Sequence, residues 1–352
     1  MGSRPRHNKA MTLSEFCTAM PKVELHVHFE GSIRPETVLK LAERNGVQLP
    51  ADTLEGLRDW YTFRDFPHFV EVYVAVTKCI KSADDLETIM REFLEGQKAQ
   101  NVLHSEVTYT ASTIETFCGI SWPDQHAALL RGMKYGKEEL GVTCGLILDI
   151  VRGHPVERAL EVTEWATTSE GVIALGLAGE EIKGTLQYEP CVALATERGV
   201  PWIPHAGETT GPQTIRDCLA IGSPTRIGHG VRSIEDLELV AELRDRGILL
   251  EVSPTSNVAV GGVPTLADHP LPRLMDEGVR VCINSDDPPM FSTSITQEFI
   301  RCSEAFDFDR DILYSLTMNA VNGALVSDER RAELRTAVRE GFAELEDDEE
   351  EE

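Results

Sequence analysis

His26 and His28 lie one residue apart in the run ELHVHFEGS, residues 24–32. Side chains of a strand repeat every two residues, so both imidazoles point to one side while Val27 points away. At that spacing they stand ~6–7 Å apart and can chelate one metal ion. Three further runs carry the same polar types where strands are expected to end. His205 and Glu208 lie in HAGE, His229 in GHG, and Asp286 and Asp287 in NSDDP. A single core histidine is usually a hydrogen-bonded structural group. Four strand ends that each deliver His or Asp call for one meeting point. With the first pair, His205 and Asp286 make three nitrogens and one oxygen, a set that suits one Zn²⁺ with a water in an open position. Fe²⁺, Co²⁺ and Mn²⁺ fit the same donors. A divalent ion held this way brings the pKa of water toward neutrality and makes a nucleophile.

The elements that must position these residues alternate short β-like runs with longer amphipathic segments. Strands are expected at 23–29, 102–110, 142–151, 172–179, 201–207, 226–231, 248–254 and 279–287. Several are apolar on both faces, the pattern of parallel strands covered by helices. Pro35 and the Asn45-Gly46 pair bracket a first helix. Ser82 and Asp85 read as a capping box before LETIMREFLEGQKA. Further helices fit 124–139, 155–168, 187–198, 212–221, 233–246 and 294–306. The gap 30–101 is too long for one helix and is expected to hold extra ones. Two more follow the last strand, near 309–323 and 327–345. Eight βα units predict a (β/α)₈ TIM barrel with extra helices after strand 1 and at the C-terminus, its site at the C-terminal strand ends. An open doubly wound sheet would want a G-x-G-x-x-G loop after strand 1, and FEGSIRP lacks it.

Residues 1–19 read as an N-terminal extension, 20–345 as one domain, and 346–352 as an acidic disordered tail. Net charge is −26 over 352 residues, and the seven acidic residues of the tail leave about −19 elsewhere. Such a balance argues against nucleic acid or an anionic membrane as partner. No run of 18 apolar residues suggests a membrane span. Eight scattered cysteines without a C-x-x-C pair fit a reducing compartment, so a cytoplasmic location is expected. Nothing in the sequence fixes an oligomeric state.

ELHVHFEGS, GLAGEE, HAGE, RIGHG, EVSPTSN and NSDDP, in that order, resemble the adenosine deaminase family of metal-dependent hydrolases, from about residue 20 to 325. The resemblance implies a (β/α)₈ barrel, one catalytic zinc, and hydrolytic replacement of a purine 6-amino group by oxygen with release of ammonia. Residue by residue it implies His26, His28, His205 and Asp286 as metal ligands, and Glu208 as proton donor to purine N1. His229 would orient or steer the attacking water, as imidazolium or as base. Asp287 would bond purine N7 and Gly179 would offer its N–H to N3. Ser253 and Asn257 are expected to shape the loop after strand 7. The chemistry is self-consistent, since attack at C6 places electron density on N1, where an acid relieves it. The paired H-x-E and P-C-x-x-C signature of other zinc deaminases is absent. Strand 4 has no lysine to bridge two metals, which favours one.

The substrate is the open part. Glu30 stands where many members of the family that this sequence resembles have Asp, reaching the ribose 5′-hydroxyl. Glu there is similar to adenine deaminases. The stretch YTFRDFPHFVEVYVAV, 61–76, resembles the lid of a subgroup that deaminates aminodeoxyfutalosine, a menaquinone-pathway nucleoside with a benzoate beyond C5′. Phe63, Phe66 and Arg64 would then contact substrate, the rings by stacking and the arginine by a charge-assisted bond. Phe63, Phe66 and Phe69 also recur as one buried helix face would. A small-molecule purine nucleoside, adenosine or aminodeoxyfutalosine, is expected. The alternatives are adenine as free base, or a catalytically silent binding protein on the same barrel.

Overall fold

The computed structural model describes residues 11–350, with side chains to 345. Eight strands run β1 Lys22–His28, β2 Val102–Tyr109, β3 Thr143–Val151, β4 Val172–Ala178, β5 Trp202–Ala206, β6 Arg226–His229, β7 Leu249–Val252 and β8 Arg280–Ile283. Each pairs parallel with the next in sequence order. The ring closes between β8 and β1 through one bridge, Val27 to Asp286. There the side chain of Asn284 does what a strand would do. Its Oδ1 accepts from the backbone N–H of Leu25 and of His26, at 2.9 and 3.0 Å.

All eight expected strands are present, and the last three end two to four residues earlier than the apolar pattern suggests. The chain turns out of the ladder where the site begins. Gly207, His229 and Asp286 have φ of 68°, 62° and 63°. A left-handed backbone is unfavourable for His and Asp, by about 1–3 kcal/mol, and such residues collect at functional sites.

Between β1 and β2 lie the helices Pro35–Asn45, Leu54–Trp60, Phe66–Thr77 and Ala83–Ala99, the expected insertion. The capping box at Ser82 and Asp85 is formed, and Gly46 ends the first helix at φ 65°. Expected helix 233–246 is instead split. Asp236, extended at φ −139°, ends a 3₁₀ turn and caps the helix Leu237–Asp245 with its carboxylate. The short helices Ala111–Cys118, Pro254–Ala259 and Leu271–Asp276 carried too few turns to show as a period. The final helix, Asp328–Glu350, continues as backbone into the acidic run that the sequence suggested as a tail. Residues 1–10 of the proposed N-terminal extension lie outside the described residues, and its remainder begins the helix Leu13–Ala19.

The barrel floor is charged and buried. Arg226, 1% exposed, lies 2.6 Å from Glu106 Oε2 and 2.5 Å from Glu251 Oε1. The other oxygen of Glu251 meets His26 Nδ1 at 2.9 Å. One arginine thus holds two carboxylates, and one of these orients a histidine of the mouth.

Candidate active site

His26, His28, His205, His229, Glu208 and Asp286 come from β1, β5, β6, the turn after β5 and the turn after β8, and converge at one end of the barrel. Asp286 Oδ1 lies 3.2 Å from His28 Nε2 and 3.4 Å from His26 Nε2. His28 Nε2 stands 3.1 Å from His205 Nε2. His205 Nδ1 faces the carbonyl of Leu177 at 3.0 Å and must donate to it, so its Nε2 carries a lone pair. His26 Nε2 is buried without a hydrogen-bond partner, while its Nδ1 is taken by Glu251. Imidazole nitrogens aimed at one point, with His26 and His205 each fixed through the other ring nitrogen, are what a divalent ion requires. His26, His28 and Asp286 put ligand atoms within 4.8 Å of one another. The donor set of three imidazoles and a carboxylate therefore fits a metal ion. Ser256 Oγ donates to Asp286 Oδ2 at 2.6 Å and steers that carboxylate.

Charge in the cluster is opposed group by group. With no ion bound, burial disfavours the His26 imidazolium, but the carboxylates of Asp286 and Glu251 outweigh it and raise the group; a metal ion at Nε2 would take the place of that second proton. Burial, with His26 and His28 nearby, pushes His205 well below its ordinary value. Glu208 is pushed well above the carboxylate range by burial, then by the negative charge of Asp286 and Glu181. It is thus held as an acid, 3.7 Å from His229 Nε2. Glu181, the last residue of GLAGEE, fixes the Glu208 turn. It accepts from the N–H of Thr209 and of Thr210 at 2.7 Å, and from Thr214 Oγ1 at 3.0 Å.

A cavity of about 300 Å³ opens from this cluster. His28, His205, Glu208, His229, Asp287 and Gly179 line its deep end, and Phe66, Phe69, Val70, Tyr73, Val74 and Phe117 line one wall. Asp287 Oδ1 is buried with no partner. Gly31 makes room for it, since a Cβ there would stand 1.6 Å from that oxygen. Gly179 has φ 89°, which turns the chain at the end of β4.

Three expected contacts are placed elsewhere. Glu30 is fully buried and is no part of the cavity wall. Its carboxylate accepts from Tyr73 Oη at 2.9 Å and from the Thr110 N–H at 3.0 Å. The longer side chain of Glu ties the insertion to the barrel and reaches the cavity only through its partners Tyr73 and Thr110, which both line it. Phe63 precedes the helix Phe66–Thr77 and packs on Phe69 and Phe291, ring centroids 5.3 and 5.6 Å away. Arg64 is exposed, beside the helix cap Asp65, and does not line the cavity. Of the three lid residues, Phe66 alone faces the cavity. Sequence reasoning missed Tyr73, Glu181, Glu251, Ser256 and His269. The signal present was the second acid of GLAGEE, Glu181, and the second serine of SPTSN, Ser256.

This barrel, with a buried acid beside a metal-ligand cluster, defines a metal-dependent hydrolytic deaminase. Residues 21–341 match the family described as Adenosine deaminase, and the chain belongs to that family. An aminodeoxyfutalosine deaminase of Streptomyces avermitilis is 36% identical, over 93% of this chain and 92% of its own length. The crystal structure of an adenine deaminase from Arthrobacter aurescens superposes with a TM-score of 0.87 at 32% identity, covering 92% of this chain and 99% of that one. An amidohydrolase from Burkholderia ambifaria, solved with bound Zn, gives a TM-score of 0.88 at 26% identity, covering 97% and 96%. Purine deamination is the activity these relatives support.

Proposed function

We propose that the chain is a zinc-dependent deaminase of an adenosine-type nucleoside with an apolar extension beyond C5′, of the aminodeoxyfutalosine kind. The observation that carries this reading is the shape of the cavity: a metal cluster and a buried acid at its deep end, an aromatic and aliphatic wall leading outward. His26, His28, His205 and Asp286 would hold the ion, which supplies Lewis acidity to activate water at purine C6. Water contributes oxygen to C6, the C6–N6 bond breaks, and the amine leaves as ammonia. Glu208, kept protonated by burial, delivers its proton to N1 as density arrives there. Purine N7 is an acceptor, so Asp287 meets it as the neutral acid, a state that burial favours. Gly179 offers its N–H to N3. His229 faces the reacting oxygen.

The placement of Glu30 favours a substrate other than plain adenosine. Bound by Tyr73 and Thr110, it offers no acid to a ribose 5′-hydroxyl, and Phe66, Phe69 and Phe117 favour an apolar group there. Arg64 no longer suits a distal carboxylate. Lys183 and His154, both at the cavity, replace it in this reading. A second reading, adenine as free base, is favoured by the same sequestered Glu30. Eight free cysteines support a reducing, cytoplasmic setting. Among the described residues no helix is long and apolar enough to cross a membrane.

The test is kcat/KM for adenine, adenosine, 2′-deoxyadenosine, methylthioadenosine and aminodeoxyfutalosine with zinc-loaded protein. The extended nucleoside is expected to lead. Turnover of adenine alone would establish the second reading. Glu208→Gln should retain the metal and lose about 10²-fold or more in kcat; near-normal turnover would remove Glu208 from the role of acid.

A further inference from the structure

His229 sits in a chain of three buried hydrogen bonds that begins at a backbone amide. The Leu271 N–H donates to His269 Nδ1 at 3.1 Å. His269 Nε2 lies 3.1 Å from Asn257 Oδ1, and Asn257 Nδ2 lies 3.0 Å from His229 Nδ1. His269, Asn257 and His229 are 3%, 0% and 1% exposed. Each step forces the next. A backbone N–H can only donate, so His269 Nδ1 carries a lone pair and the ring is neutral. Burial favours the same state, pushing His269 down to about 4. Its one proton is then on Nε2 and points at Asn257. That end of the amide must be the oxygen, so the NH₂ end donates to His229 Nδ1. A neutral His229 with Nδ1 accepting has its proton on Nε2.

We infer that His269 and Asn257 are positioning residues that fix His229 as a hydrogen-bond donor toward the reacting oxygen. The inference deepens the proposed function and rests on its reading of His229. Nε2–H points to where Glu208 and Asp286 meet, 3.7 and 3.8 Å away. An imidazole whose only lone pair is held by Asn257 has none to take the proton of water. Imidazolium is opposed too, because a second proton on Nδ1 would meet the Asn257 NH₂ head-on. His229 therefore steadies the attacking oxygen and does not deprotonate it. The anchor is local: Leu271 opens the helix Leu271–Asp276, its N–H is one that helical bonding leaves free, and the His269 ring accepts it.

The test reads ring protonation directly. Protein labelled with ¹⁵N-histidine and loaded with zinc is examined by long-range ¹H–¹⁵N correlation, with His229→Asn to assign the ring. The expected wild-type pattern is Nε2 protonated and Nδ1 bare. Asn257→Asp presents an acceptor to Nδ1, so the proton moves to Nδ1, and kcat on the best substrate falls about 10²-fold with KM within about threefold. His269→Phe frees the amide and gives mixed tautomers. A wild-type His229 that is protonated at Nδ1, or at both nitrogens, overturns the inference. So does an Asn257→Asp protein with the wild-type pattern and turnover. If neither adenine nor any adenosine-type nucleoside is deaminated, the functional reading fails while the spectrum still decides the relay.

Discussion

Glu251→Gln separates the support of the cluster from its chemistry. Glu251 lies on β7 beneath the site, one oxygen 2.9 Å from His26 Nδ1 and the other 2.5 Å from Arg226 Nε. Glutamine keeps the shape but has one acceptor oxygen and an NH₂. It can accept from His26 or from Arg226, and the donor left over faces another donor without water. An orphaned buried donor costs about 1–3 kcal/mol. Arg226 retains Glu106 at 2.6 Å, so the loss stays below the about 3–5 kcal/mol of a wholly broken buried pair. A cost of about 2–3 kcal/mol, at about 1.4 °C per kcal/mol for a chain of 352 residues, lowers Tm by about 3–4 °C. His26 also loses the acceptor that keeps its proton on Nδ1 and its lone pair on Nε2, which should lower zinc affinity about 10–100-fold. Calorimetric scans at one rate, with and without zinc, measure the first effect, and competition with a chromogenic chelator the second. A lowered Tm with unchanged zinc affinity would mean that Glu251 serves Arg226 alone. No change in either would refute the argument.

Three further outcomes follow from the placement of particular groups. Arg64→Ala should change kcat/KM for any purine by no more than about twofold, the range of an exposed substitution, while Phe69→Ala should lower it clearly more for the extended nucleoside than for adenine; an equal loss for both would take Phe69 off the extension. His269 gives a pH effect whose sign is fixed by its burial: the unfolded chain takes a proton below about 6.5 and the folded one only near 4. Stability is therefore unaffected above 6.5 and is lost as pH falls from 6.5 toward 4, by on the order of 3 kcal/mol. His269→Leu should flatten the denaturant-measured stability profile in that window by about one proton, and an unchanged slope would show that His269 is protonated in the fold.

The metal half of the site was legible because strand periodicity carries it. His26 and His28 share a side by the two-residue repeat alone, and a closed barrel brings His205 and Asp286 to the same rim. The eight strands were visible for the same reason: both faces are covered, so each reads as an apolar run. What the sequence hid are bonds between residues that share no period. Glu251 reaches His26 across 225 positions, and Asn257 reaches His229 across 28. Neither pair shares a helical or strand repeat, and geometry alone joins them. Glu30 and Arg64 were misplaced by a related limit. Sequence indicates that an acid follows H-x-H, but not that Tyr73 comes back from the insertion to occupy it. It indicates that an arginine sits among phenylalanines, but not that Asp65 caps the helix there and leaves the arginine in solvent.

Those hidden contacts share one physical cause. His229 and Asp286 stand at positive φ on the last rungs of the barrel, where their backbones still bond the neighbouring strand but their side chains turn into the mouth, beyond the regular ladder. Side chains from elsewhere take over: Asn257 at His229, Ser256 at Asp286, Glu181 around Glu208. The partners of His229 and Asp286 come from one short helix, Pro254–Ala259, which packs over the mouth after β7. One short helix thus sets the proposed donor end of His229 and the orientation of the Asp286 carboxylate, a candidate metal ligand, together. A change that shifts this helix should lower turnover and zinc affinity in step, whereas one confined to the aromatic wall should alter substrate preference and leave zinc affinity untouched.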